Sequence, residues 1–459
     1  SGSADASGAR LPDRDTPCPP SSAARGTTWT RTPRRGRSGC RSSGAGSMFE
    51  LNLTASSFSI KYNFSFSNNE GYGFGGRLSY NNLNYILGFT RYGGAFGDGT
   101  LYKYNLNTAT VDTMMSLQNN ITGNTNSDEG GLLYLPSANK WIGSLQNGVA
   151  ASGNIVELNY PISNQLATLA SFNVAPNGLY PQASLIEKDG YLYGTTVQGG
   201  NSASGTHSSY GDYIGYGTMF KYHPQTNVFT KLIDFSNANG SFPSSDLYAD
   251  NWGSIYGTTM YGGASGLGTV FKYDIGSNSL QTMYEFSIFG ANPIAGVAEY
   301  NGQLYGVTNK GGIGDAGILY SIQPGSNVFN VLHLFDTTVE GGRPIGKLFL
   351  ASNNKFYSFT SMGSSNGVGG IFQFDPATNI FSFIVALDST NTGANAHGSF
   401  TELNNKLYAT ITNGGSATGE GVFLEYDFLT NSITQNTPTS GHPKGTPLKA
   451  SDNKLYWLT

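Results

Sequence analysis

One fragment returns along this chain about every fifty residues, and any fold must accommodate it. It reads Leu-Tyr-Gly-Thr-Thr, then Gly-Gly, then Gly-x-Gly-Thr-Val-Phe-Lys-Tyr, with clear copies at 192–222 and 255–274 and worn ones at 304–322, 356–375 and 407–427. Such a period belongs to stacked supersecondary units, each unable to bury its apolar face alone. It overrides the several domains that 459 residues would otherwise suggest.

The unit beginning at Pro243 shows what is stacked. Short strands are expected at 247–249, 254–259, 269–274 and 280–286, with a glycine turn at 262–268. Four strands in about fifty residues make one propeller blade. Alternation in the third strand sets Val270 and Lys272 on one face and Phe271 and Tyr273 on the other, the period of a half-buried strand. With 63 Gly, 28 Tyr, 27 Phe and 12% charged residues, the composition favours aromatic strands and tight turns over helices.

Aligning the units on the glycine after Leu-Tyr gives Gly88, Gly143, Gly194, Gly257 and Gly306, with Ser358, Ala409 and Trp457 at the same place. Seven of these eight units continue into a third and fourth strand, and the last stops at Thr459. The missing half stands at the front, where Phe49 aligns with Phe271, Asn52 with Asp274, Phe58 with Leu280 and Phe64 with Phe286. The expectation is an all-β, eight-bladed β-propeller closed by an N-terminal and a C-terminal half-blade, since closure removes sheet edges. Seven blades is the alternative, if 132–172, which lacks the Gly-Gly turn, is not a blade.

Residues 1–47 differ in kind. They carry eight of the eleven Arg and both cysteines against three Asp, a net +5, whereas 48–459 carry a net −9. A polar segment without an apolar core is expected to be a disordered leader added ahead of Met48, leaving one propeller domain over 48–459. The ring then has no cysteine for a disulfide, thiolate or metal. Its acidity argues against nucleic acid, and no run of eighteen apolar residues is present to insert into a membrane. A monomer without cofactor is expected.

The segments Leu192-Tyr193-Gly194-Thr195-Thr196, Gly199-Gly200 and Gly217-Thr218-Met219-Phe220-Lys221-Tyr222 resemble the GloVer-type (Gloeo/Verruco) tandem repeat of bacterial proteins that carry varied surface anchors. Gly-Gly followed by Tyr222 and Phe229 also looks like a relative of Kelch. The resemblance implies a propeller at the bacterial cell surface or outside the cell, and no reaction.

Candidate chemistry is sparse. The glycine pairs lead into strands rather than helices, which removes a phosphate-cradling role. His207, His223, His333, His397 and His442 stand in different units with no metal-ligand spacing. Asp98, Asp315 and Glu420 occupy the variable middle of the glycine turn, where Tyr216 stands in another unit. The longest departure from the repeat is the insertion 201–215, a Ser, Gly and Tyr-rich loop with His207, Tyr210, Asp212 and Tyr213, of the composition that binding surfaces favour. Loops between second and third strands and loops joining successive blades should open on one mouth, with Arg91, Tyr92, Tyr261, Lys310 and Arg343 near it. The expected function is an extracellular binding propeller for a protein or glycan partner. The rivals are a polysaccharide hydrolase or lyase using Asp98, Asp212 and Asp315, and an intracellular Kelch-like adaptor.

Overall fold

A computed structural model describes residues 45–52, 57–65, 70–80, 84–118, 131–146, 152–160, 162–172, 175–201, 215–396, 398–415, 419–436 and 442–459. The chain separates into Ser1–Ser43, which lies outside these residues, and Gly44–Thr459. The second unit is a ring of eight antiparallel sheets. Blades 1 to 7 open at Tyr72, Leu132, Ile186, Tyr248, Ala298, Gly342 and Ala394. In each, four strands or slightly more follow one another outward from the axis, and first strands of several neighbouring blades touch, as in blades 1 and 2 and blades 3 and 4. The segment at 132–171 is a complete four-stranded sheet, so the ring has eight blades and not seven. Among the described residues, no helix is long and apolar enough to cross a membrane.

Blade 8 joins the two ends of the chain. Lys444–Lys449 and Leu455–Leu458 come from the C-terminal side, and Ser47–Asn52 and Ser57–Asn63 from the N-terminal side. The seam pairs Met48 with Leu458, Phe49 with Trp457, Glu50 with Tyr456 and Leu51 with Leu455. Leu51 faces Phe58 as Tyr273 faces Leu280 in blade 4, and both third strands carry a bulge one step before their Phe. The split blade therefore reproduces the register of a continuous one.

The third strands are buried on both faces, not on one. Val270 packs with blade 5 residues such as Val297 and Ile318, whereas Phe271 and Tyr273 pack with Tyr193, Met219 and Phe235 of blade 3. Each sheet is the filling between two neighbours, so only Lys272 of that alternation reaches solvent. Each of the eight apolar clusters spans one blade-to-blade interface, and together they run round the whole ring.

Inside a blade, the glycine of Leu-Tyr-Gly stands opposite an aromatic residue. Gly257 pairs with Phe271, Gly194 with Phe220, Gly306 with Tyr320 and Gly88 with Tyr102. A methyl group on Gly257 would lie 2.5 Å from Phe271 Cζ and 2.9 Å from Leu247 Cδ2, so the ring occupies the volume the side chain would need. The other four blades depart from this pairing in different ways: Gly143 faces Val156, and Ser358 still faces Phe372. Ala409 faces Leu424, and Trp457 faces Phe49, stacked at 5.7 Å and 12°.

The seam also holds a charge cluster. Glu50 accepts from Lys61 at 2.9 Å, from Lys454 at 3.2 Å and from the Tyr456 hydroxyl at 2.8 Å, so the cluster ties the N-terminal strands to the C-terminal ones. Burial works to raise the Glu50 carboxyl, but the hydrogen bonds from Lys61, Tyr456 and Lys454 outweigh it and hold it below its ordinary value of 4.5.

Two outcomes follow from these contacts. Gly257→Ala overpacks blade 4 and should cost about 1–3 kcal/mol, while adding Phe271→Leu, the blade 7 combination, should recover part of the loss in thermal unfolding midpoint. Full loss in the double variant would count against the steric account. For Glu50, the folded pKa lies below the unfolded one, so its contribution is present above the ordinary carboxylate range and lost as pH falls through the folded value. Glu50→Gln should therefore lower stability near neutral pH by about 2 kcal/mol and flatten the acid limb of the stability profile relative to the parent chain.

Candidate functional site

The repeat's threonines build the rim before any ligand is considered. Thr259 and Thr269 hydroxyls lie 2.8 Å apart, Thr259 donates to the Tyr261 carbonyl at 2.9 Å, and Thr269 donates to the Asn239 carbonyl at 3.2 Å. Thr90 with Thr100 and Thr196 with Thr218 repeat the pairing at 3.0 and 2.8 Å. The Thr-Thr and Gly-Thr halves of the motif thus clamp the second strand to the third and to the loop entering the blade. The two loop sets meet as their connectivity requires: Ser241 N–H donates to Tyr261 at 2.8 Å, Ala291 to Lys310 at 2.7 Å and Gly312 to Ile288 at 3.0 Å. One mouth results.

The expected site residues are spread round this mouth. Tyr92 is about half exposed and its ring lies 5.4 Å from that of Tyr72, and Asp98 bridges back to Gly93 within the same turn of blade 1. Arg91 precedes Tyr92 at the end of the second strand. Tyr261 sits 6.0 Å from Phe242, whose N–H donates to the Tyr216 carbonyl; the Tyr216 ring packs into the interface of blades 3 and 4. Lys310 is held through its backbone against Ala291. Asp315 and Arg343 are brought together: Arg343 Nη2 lies 3.2 Å from Asp315 Oδ2, and Asp315 Oδ1 accepts the Gly311 N–H at 2.8 Å. His207, Tyr210, Asp212 and Tyr213 lie outside the described residues.

The three described histidines make scaffold contacts, and His207 and His397 lie outside the described residues. His223 Nδ1 accepts the Thr226 N–H at 3.2 Å, His442 Nδ1 lies 3.0 Å from the Thr412 carbonyl, and His333 stacks on Phe381 at 3.5 Å beside Glu340. Among the described residues, no three His, Cys, Asp or Glu side chains gather closely enough to hold a metal ion.

The axis holds what the sequence did not disclose. Leu78 and Leu247 close over Gly88 and Gly257, so Arg77 and Asp246 just ahead of them hold equivalent positions in blades 1 and 4, as does Lys347, just ahead of Leu348, in blade 6. The same position is Gly131, Ser184, Gly296, Ser399 or Thr446 in the others. Neighbours in this circle touch. Ser184 N–H reaches Asp246 Oδ1 at 3.4 Å, Ser399 N–H donates to Thr446 Oγ1 at 3.0 Å, and a methyl group on Gly296 would meet the Asp246 carbonyl at 2.4 Å. Arg77 Nη2 lies 3.0 Å from Asp246 Oδ2 although their blades are not adjacent, so the ion pair links blades 1 and 4 across the inner side of the ring. Burial works to raise the Asp246 carboxyl, and the charges of Arg77 and Lys347, with hydrogen bonds from Arg77 and the Ser184 amide, outweigh it and hold it below the usual carboxylate range. Three charges at a place otherwise held by Gly, Ser or Thr were the available signal.

A model of the Gloeobacter/Verrucomicrobia repeat matches residues 205–350 and again 314–459, together more than half of the chain. The chain belongs to this repeat family. The two Gloeobacter/Verrucomicrobia matches overlap across blades 5 and 6 and end at the last strand of the seam. No curated protein matches the chain. Similar solved structures include a nidogen/laminin complex at 13% identity and TM-score 0.36, covering 64% of this chain and 95% of that one. A puromycin hydrolase is 9% identical with TM-score 0.49, covering 83% of this chain and 56% of that chain, of which this protein therefore spans little more than half. TolB from Acinetobacter baumannii is 10% identical with TM-score 0.35, covering 78% of this chain and 81% of that one.

Proposed function

We propose that this ring is a binding module working outside a bacterial cell or at its surface, which takes its ligand through the mouth into the axial channel and does not turn it over. The observation that carries this reading is the state of Asp246. It is the one carboxylate at the axial position, it is paired with Arg77, and it is held ionised. A general acid needs a carboxyl raised toward the working pH, and a glycosidase needs a second carboxylate roughly 5–10 Å away. At the mouth, Asp315 is already engaged by Arg343 and the Gly311 amide. The Tyr72 and Tyr92 pair and the hydroxyls of Ser184, Ser399 and Thr446 suit a polyhydroxylated partner, which favours glycan over protein. Kinship with Kelch, suggested by Gly199-Gly200 with Tyr222 and Phe229, belongs to the same reading.

The full chain should be retained on an immobilised bacterial or plant polysaccharide while releasing no reducing or unsaturated sugar ends from it over long incubation. Release of such ends, abolished by Asp246→Asn, would contradict the reading.

A further inference from the structure

One turn at the mouth keeps its backbone and changes its side chain from blade to blade. Tyr180-Pro181, Phe242-Pro243, Asn292-Pro293 and Arg343-Pro344 stand at the entries to blades 3 to 6. The proline is scaffold in each. Its Cδ lies against a glycine of the preceding blade, so that a methyl group on Gly153, Gly217, Gly268 or Gly317 would sit 2.4 to 3.0 Å from it. The residue ahead of the proline is fixed through its backbone. Its N–H donates to the carbonyl just before that glycine: Tyr180 to Ser152 at 2.8 Å, Phe242 to Tyr216 at 3.0 Å, Asn292 to Leu267 at 2.9 Å and Arg343 to Ala316 at 2.6 Å. All four have positive φ, at 59°, 60°, 52° and 53°.

Left-handed backbone suits Gly and Asn and strains bulky side chains, the more so ahead of proline. Blade 5 uses the low-strain residue Asn292, whose side chain donates to the Met260 carbonyl at 3.0 Å. Blade 1 has Gly73 at the same place with φ 61°, and a methyl group there would lie 3.2 Å from Tyr92 Cδ2. Blades 3 and 4 instead hold Tyr180 and Phe242, partly exposed and outside the apolar clusters that flank their blades. The backbone contacts need only the conformation, so it is the aromatic ring that the strain retains. Strain of this kind collects at positions that clamp a ligand.

We propose that Tyr180 and Phe242 are stacking residues that hold successive sugars of an uncharged polysaccharide at the mouth, which rests on the binding reading above and gives it a ligand class and contact residues. A pyranose turns an apolar C–H face to an aromatic ring and keeps its hydroxyls at the edge, and a Tyr or Phe on a fixed backbone loses little entropy in meeting it. The rings stand on adjacent blades, with Tyr261 edge-on to Phe242 at 6.0 Å. Of the four variable side chains only Arg343 is charged, and Asp315 answers it at 3.2 Å, which favours a neutral chain.

A ring retained for a ligand and a ring retained for packing give opposite signs. Replacing Tyr180 by the blade 5 residue should relieve strain while weakening binding, whereas loss of a packing residue lowers stability.

The test is electrophoresis of the full chain in native gels containing glucomannan, xyloglucan or dextran, with gelatin as a polypeptide comparison. The parent chain should be retarded by at least one polysaccharide and not by gelatin. Tyr180→Asn and Phe242→Asn should each weaken the apparent affinity about two- to tenfold, and Tyr180→Phe should keep most of it. The thermal midpoint of Tyr180→Asn should equal or exceed the parent's. Free migration of the parent in all three polysaccharide gels, unchanged retardation of both Asn variants, or a Tyr180→Asn midpoint that falls along with its binding would each overturn the inference. Retardation by gelatin alone would overturn the saccharide assignment. Unchanged retardation of the Asn variants would leave the binding reading standing, and sugar ends released from the polysaccharide would remove that reading instead.

Discussion

An aromatic ring laid over a glycine of the adjacent strand is the contact on which this structure depends. In blades 1, 3, 4 and 5 it makes the inner part of the sheet thin at one point and thick at the next, and Phe271 over Gly257 fills the volume that a side chain at 257 would need. Because each sheet is packed on both faces, an extra methyl at Gly257 has no solvent side toward which to relax. The same contact accounts for the drift of the repeat in two blades, although Ser358 still faces Phe372 and Gly143 faces Val156. Where Ala409 replaces glycine the opposite residue shrinks to Leu424, and where Trp457 does so Phe49 shifts into a stack.

Closure rests on that contact being reproducible from two separate pieces of chain. The seam joins residues about four hundred positions apart in the sequence, a loop whose closure entropy grows only slowly with length. Apolar burial between blade 8 and both of its neighbours offsets it, and the Glu50 cluster with Lys61 and Lys454 fixes which register is used. In blades 2 and 7, Glu157 and Glu425 meet Lys140 and Lys406 in the same manner, at 3.1 and 2.6 Å. The carboxylate on the third strand and the lysine on the second are thus a recurring polar rung rather than a site.

The ring was legible in the sequence because its signals are periodic. Gly88 to Trp457 mark the second strands, and the match of Phe49 with Phe271 and Phe58 with Leu280 foretold the split blade, whose bulge only the structure shows. Burial on both faces was not, since strict alternation in a single strand looks the same whether one face or both are covered. The axial charges were missed for a different reason. The first strands are as short as Tyr248–Ala249, so Asp246 and Lys347 fall just ahead of the regular strand, where periodicity says nothing. Arg77 and Asp246 are 169 residues apart, and only the ring closure makes them neighbours. Among the mouth residues, proximity in the fold joined Asp315 to Arg343, while Tyr92, Tyr261 and Lys310 remain on separate blades as anchors of the rim.

Hydrogen exchange on the intact chain tests the central claim, a closed ring with one blade shared by both ends, most directly. If the seam is a true blade, the amides of 49–51 and 455–458 exchange as slowly as those of Ser254–Thr259 and Thr269–Asp274 in blade 4. Rapid exchange at both ends beside a protected blade 4 would contradict closure.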